Sequence, residues 1–245
     1  MSDLLLLAAA FGAGMLNAAA GGGSFLTLPA LVAVGMPAAV ANATGTLALL
    51  PGYLTGAWAL RRDIAQSEPG SLAGLSGIAL AGGTAGALLL LWTSGAVFRN
   101  VAPWLLLFAT ALFLFAPLML RMARGRLLSP GATAAGLFAV SLYGGYFNGG
   151  MGIMLLALFG MSKRGDFSAI NGLKNLLSGV LTVVAVAVYV AGGLVVWREA
   201  GVMAVGATVG GFVGARLARR VPAVVMRAIV VLVGVSMSVF MFLKI

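Results

Sequence analysis

The sequence predicts an all-α integral membrane protein made of two inverted repeats, each a broken-helix hairpin followed by three transmembrane helices. Three observations lead there. First, 62% of the 245 residues are hydrophobic and 8% charged, with a mean hydropathy of +1.11. A soluble domain of this size cannot bury so much apolar surface. Second, the apolar stretches are long and do not alternate with period two, which disfavours a β-barrel. Third, the chain matches itself.

The match has two blocks. At a shift of 131, "FGAGMLNAAAGG" (Phe11 to Gly22) lies over "LYGGYFNGGMGI" (Leu142 to Ile153), and Gly14, Asn17 and Gly21 coincide with Gly145, Asn148 and Gly152. At a shift of 128, "GGTAGALLLLWTSGAVFR" (Gly82 to Arg99) lies over "GGFVGARLARRVPAVVMR" (Gly210 to Arg227). Two blocks in one order at nearly one shift indicate a duplication. The first repeat takes residues 1–121, a linker 122–130, and the second repeat 131–245.

Each element then follows from the apolar runs. The first half has a hairpin over 4–35, with arms Leu4–Ala20 and Phe25–Gly35, then helices over 38–60, 72–92 and 101–120. The second has a hairpin over 132–160, with arms Ala132–Phe147 and Met151–Gly160, then helices over 169–192, 201–217 and 223–243. At 1.5 Å per residue, each second arm reaches only about halfway through a core of roughly 30 Å.

Loop charges set the orientation. If each hairpin returns to its own side, Arg61, Arg62, Arg121, Arg124, Arg126, Lys163, Arg164, Arg216, Arg219, Arg220 and Arg227 share one side. Only Arg99, Arg198 and Lys244 fall on the other. The positive-inside rule expects that asymmetry. Cytoplasmic loops follow at Arg61–Glu68, Arg121–Ser129, Met161–Asp166 and Arg216–Val221, with both termini periplasmic. An odd number of crossings per half inverts one half relative to the other; the rule fits a hairpin or two complete crossings alike, and the short second arm favours the hairpin. The net charge of +10 is thereby read as a topology signal, and nucleic acid is not expected as a partner.

Glycine-rich breaks at matching places in an apolar chain carry a functional meaning. Non-helical backbone at membrane depth is tolerated only where protein buries it or it lines a cavity. "AAAGGGS" and "NGGMG" are therefore expected as hairpin tips meeting near the midplane, where inverted-repeat transporters bind substrate. "GGTAG" and "GGFVG" are expected to serve close helix packing.

The chemistry is limited. Without cysteine or histidine, thiolate chemistry, disulfides, haem ligation and the usual zinc sites are excluded, and no cofactor is expected. The five acids Asp3, Asp63, Glu68, Asp166 and Glu199 lie in loops or near termini, which argues against a carboxylate proton relay or acidic cation site. One charge lies inside a span. Lys174 joins Asn171, Asn175, Ser178 and Thr182 in a polar stripe at helical spacing. Asn42, Thr46 and Tyr53 form a weaker stripe in the first half, and Thr44 matches Asn175 at the 131 shift. These groups donate hydrogen bonds with no fixed negative charge opposing them, which suits a small oxyanion. The competing account of Lys174 is snorkelling toward the cytoplasmic end. A Ser178–Lys174 hydrolase is disfavoured, and no enzyme is expected.

"GMLNAAAGGGSFLTLPALVAVGMPAAVANATGT" with "GGYFNGGMGIMLLALFG" resembles the TauE/SafE family of sulfite exporters and related anion permeases, over nearly the whole chain. The resemblance implies a bacterial inner-membrane exporter or permease for sulfite, organosulfonates or related sulfur oxyanions. It points to Asn17, Gly21, Gly22, Gly23, Pro29, Thr44, Gly145, Asn148, Gly150 and Gly152. Ile153 and Met154 stand where the first hairpin has Gly22 and Gly23, so an asymmetric site is expected.

The expected substrate site thus comprises Asn17, Gly21, Gly22, Gly23, Asn42, Thr44, Thr46, Asn148, Gly150, Gly152, Asn171, Lys174, Asn175 and Ser178. The expected partners are a small anion, the lipid bilayer and a second copy of the chain as a homodimer. Alternating access between the halves is the expected mechanism. An importing permease and a structural membrane subunit without transported ligand are the alternatives.

Overall fold

A computed structural model describes residues 2–66, 71–122, 128–162, 167–217 and 223–243. The loop positions Glu68, Arg124, Arg126, Lys163, Arg164, Asp166, Arg219, Arg220 and Lys244 lie outside them. Eleven helices and no strand occur among the described residues: α1 (Ser2–Ala20), α2 (Ser24–Ala33), α3 (Ala38–Ala59), α4 (Arg61–Gln66), α5 (Leu72–Trp92), α6 (Gly95–Met122), α7 (Pro130–Tyr146), α8 (Met151–Ser162), α9 (Phe167–Ala191), α10 (Trp197–Leu217) and α11 (Ala223–Leu243). The protein is all-α. Three described stretches, Leu72–Trp92, Gly95–Phe115 and Phe167–Ala191, are long and apolar enough to cross a membrane. All four tryptophans, Trp58, Trp92, Trp104 and Trp197, are exposed, as residues at a membrane interface are.

Local signals set the helix ends. Ser71 and Ser129 cap α5 and α7 by accepting from Gly74 N (3.0 Å) and Ala132 N (3.2 Å). Left-handed glycines follow α2 and α9: Gly35 at φ +94° and Gly193 at φ +69°. Two boundaries differ from the sequence reading. Helix α6 begins at Gly95 and not near 101, because Ser94 Oγ accepts from Val97 N at 3.3 Å. Helix α10 begins at Trp197 and not near 201, with Glu199 in its first turn facing the positive end of the dipole. The loop expected after residue 60 also contains the short helix α4.

Packing pairs the helices across the two halves of the chain. α1 lies along α10, α5 along α7, α3 along α9, and α6 along α11. Each pairing survives exchange of one half for the other. The first two pairs run parallel, since Leu7 and Phe11 meet Gly206 and Gly210, while Gly82 and Gly86 meet Phe138 and Leu142. The α3–α9 and α6–α11 pairs run antiparallel: Gly56 and Leu60 face Asn175 and Gly172, and Trp104 and Thr110 face Phe242 and Gly234.

The GGTAG and GGFVG blocks sit in the parallel contacts. A methyl at Gly82 would come within 2.8 Å of Phe138 O, and one at Gly210 would collide with Phe11 O. Only glycine lets these backbones approach so closely.

Three links fix which helix ends share a face of the bundle. Asp3 pairs with Arg198 at 2.6 Å, and Val196 N donates to Thr44 Oγ1 at 3.1 Å. The starts of α1, α3 and α10 therefore lie together. At the opposite end, Gly172 at the start of α9 packs against Leu60 and Ile64.

Candidate functional site

The two helix breaks meet inside the bundle. The first, residues 21–23, joins a 19-residue α1 to a 10-residue α2. The second, residues 147–150, joins a 17-residue α7 to a 12-residue α8. The open end of the second hairpin is tied by Leu128 N to Met161 O (3.1 Å) and by Thr133 Oγ1 to Ser162 Oγ (3.0 Å). Gly21 (φ +81°) and Gly150 (φ +76°) take left-handed backbone at the turns, where a Cβ is strained. Gly21 touches Gly152 backbone to backbone: a methyl on Gly152 would lie 2.8 Å from Gly21 O. Ser24 Oγ bridges the tips by donating to Asn148 O at 2.9 Å.

Helix α3 supplies one wall. Asn42 Nδ2 donates to Tyr146 O at 3.1 Å, holding the last turn of α7. Thr46 Oγ1 donates to Asn42 O at 2.7 Å and accepts from Asn148 Nδ2 at 3.3 Å. Tyr53 Oη donates to Asn148 Oδ1 at 3.5 Å. The weaker stripe expected on this helix thus faces the second tip.

Helix α9 supplies the other wall. Lys174 is 0% exposed and donates to Asn17 O at 3.5 Å. Among the described residues it pairs with no carboxylate. Asn175, Ser178 and Thr182 are buried as well. Asn175 faces α3, since a methyl at Gly56 would lie 2.7 Å from its Nδ2. The hydroxyls of Ser178 and Thr182, and Asn17 Oδ1, are buried without a partner.

Most of the residues expected at the site therefore converge. Gly22 and Gly23 pack into the first tip, against Phe25 and against Ala13 O and Asn17 Cβ. Two residues stand apart. Thr44 is tied to Val196 in the α9–α10 turn, and Asn171 is half-buried near the start of α9.

The sequence reading left other contributors out. Ser24, Tyr143 and Tyr189 hold the tips. Tyr143 Oη donates to Gly149 O at 2.9 Å, and Tyr189 Oη donates to Gly145 O. A tyrosine in the middle of an apolar helix carries a hydroxyl that needs a partner; that signal was legible.

The chain matches the family model "Sulfite exporter TauE/SafE" over residues 6–241. It is 29% identical over 229 residues to the "Probable membrane transporter protein YfcA" of Escherichia coli strain K12, covering 92% of this chain and 84% of that protein. It is 30% identical over 248 residues to a "Probable membrane transporter protein" of Haemophilus influenzae, covering 96% and 93%. A third relative, the "Probable membrane transporter protein ORF9" of a Sinorhizobium species, is 29% identical over 238 residues, covering 96% and 90%. No solved structure matches the chain.

Proposed function

The chain belongs to the sulfite exporter TauE/SafE family, and from that premise we propose that it exports a small sulfur oxyanion through the point where its two hairpin tips meet. That it is a membrane transporter follows from the family and the relatives. We infer likewise that it lies in the inner membrane with both termini periplasmic.

One observation carries it: a fully buried ammonium, Lys174, stands beside two touching backbone breaks. A cation at membrane depth costs about 2.5–3.5 kcal/mol on insertion scales, so it is retained where it serves a ligand or pathway. The groups around it are amides and hydroxyls, which complement an oxyanion.

The tips close against each other, and their residues are shielded from both ends. Passage then requires the two halves, 1–121 and 131–245, to separate first at one end and then at the other. The pairings that survive exchange of the halves, with α3 antiparallel to α9, support two inverted units moving about a central site.

The test is flux of sulfite, methanesulfonate, sulfate and acetate in liposomes containing the purified protein. Saturable movement of a sulfur oxyanion is expected. Movement of acetate alone, or of none of the four, would sink the reading.

A further inference from the structure

The two tip asparagines occupy matching positions in the repeat, yet their side chains are in opposite condition. Asn148 is engaged at both ends of its amide, donating to Thr46 and accepting from Tyr53. Asn17 has a buried Oδ1 with no partner. The backbone shows the same asymmetry. Three of the four tyrosine hydroxyls, those of Tyr53, Tyr143 and Tyr189, donate to residues between 145 and 149. Among the described residues, Lys174 is the side chain from another helix that donates to the first tip.

The α9 face between the tips explains what the free groups are for. Lys174 reaches the first tip and Tyr189 the second. Ser178 and Thr182 lie between them, one and two turns beyond Lys174 on the same face. Hydroxyls inside helices here usually donate to the carbonyl four residues back, as Thr46, Thr110 and Ser238 do. Ser178, Thr182 and Ser141 do not, although all three are 0% exposed; Ser141 is held in the α5–α7 contact against Gly82, whereas Ser178 and Thr182 lie on the Lys174 face of α9. Buried donors without partners are costly, and a ligand that accepts from them removes the cost.

We infer that the anion is seated on one side only, by Lys174, Ser178, Thr182 and the Asn17 side chain, and that Asn148 is a positioning residue in a tyrosine-braced platform. The inference rests on the transport reading above and deepens it. A half-turn of the Asn17 terminal amide presents its NH2 to an oxyanion. One ammonium compensates one negative charge, and a second would stay unpaired in a low-dielectric site. The ligand class is therefore a small monoanion such as hydrogensulfite or an alkanesulfonate, in preference to a dianion such as sulfate.

The test uses the full-length protein in liposomes, with half-saturation and maximal rate measured for whichever of sulfite or methanesulfonate is transported. Ser178→Ala and Thr182→Val are expected to raise half-saturation at least fivefold, with maximal rate changed less than twofold. Tyr53→Phe is expected to lower maximal rate and leave half-saturation unchanged. Sulfate should compete at least tenfold more weakly than the monoanion. Where Ser178→Ala does not insert, the near-isosteric Ser178→Cys is labelled with a small methanethiosulfonate, and the anion should protect it. The inference is overturned if Tyr53→Phe raises half-saturation as much as Ser178→Ala, if sulfate competes equally, or if the anion gives no protection. Failure of the unsubstituted protein to move any of these anions overturns the transport reading itself.

Discussion

The Nζ of Lys174 lies 3.5 Å from the carbonyl oxygen of Asn17, so a cation from the second half of the chain sits on the C-terminal end of α1. That end carries the negative pole of the helix, which favours a cation within the last turn. The contact argues against snorkelling: Lys174 is directed at the first tip and fully buried. An ammonium has three donors, and this carbonyl uses one.

Replacing the ammonium tests whether the remaining donors hold the anion. Lys174→Met keeps much of the chain's bulk and removes the charge. Affinity is expected to fall by about 1.5–3 kcal/mol, or roughly ten- to a hundredfold, read as half-saturation in liposomes. Lys174→Arg should restore only part of it, since a planar fork replaces a compact charge. Wild-type affinity in Lys174→Met would leave the lysine as a cap on α1 and nothing more.

The tip contact makes a separate prediction. Gly21→Ala puts a Cβ on left-handed backbone, at a cost of about 1–2 kcal/mol, and 2.9 Å from Gly152 Cα. Gly152→Ala carries no such backbone strain but intrudes on Gly21 O at 2.8 Å. Gly21→Ala should lower the melting temperature in detergent and also reduce flux. Gly152→Ala should reduce flux with the smaller loss of melting temperature. Full flux in Gly152→Ala would mean the tips need not close.

Much of this arrangement was legible in the sequence, for physical reasons. The breaks at Gly21–Gly23 and Phe147–Gly150 stood out because glycine runs interrupt helices that nothing else interrupts. The burial of Lys174, Asn175 and Ser178 followed from a polar stripe on an apolar helix. What could not be read was which polar group bonds which. Asn17 and Asn148 look equivalent in the repeat, and only the fold brings Thr46 and Tyr53 to one of them. Thr44 stands apart for the same reason: its hydroxyl accepts from Val196 N, a contact 152 residues away in the chain. Residues 95–100 of α6 were missed because the Ser94 cap is a single hydroxyl among apolar neighbours.

Topology can be tested by labelling, because the native chain has no cysteine. Asp3 and Arg198 share one end of the bundle. Arg62, in α4, belongs to the other, where Ile64 packs on the start of α9. Parallel packing of α5 and α7 brings Ser129 to that same end. An impermeant maleimide applied to intact cells should label Arg198→Cys, while Arg62→Cys and Ser129→Cys react only after permeabilisation. Labelling of Arg62→Cys and Ser129→Cys from opposite sides would overturn the inverted arrangement.

The last prediction concerns what drives the flux. Moving one negative charge outward through 100 mV, negative inside, is favourable by about 2.3 kcal/mol. That supports a gradient of roughly fiftyfold. Proton coupling by a carboxylate would need an acid in the path. Among the described residues the acids lie elsewhere: Asp3 and Glu199 are in the first turns of α1 and α10, and Asp63 is in α4. The membrane potential alone is therefore expected to be sufficient. In liposomes holding the purified protein, a potassium-diffusion potential at constant pH should accelerate movement of the anion toward the positive side and slow it when reversed. If a pH gradient drives flux and the potential does not, a proton moves with the anion. Lys174, the buried basic group at the tips, would then be its carrier, and flux in Lys174→Met would lose its response to pH.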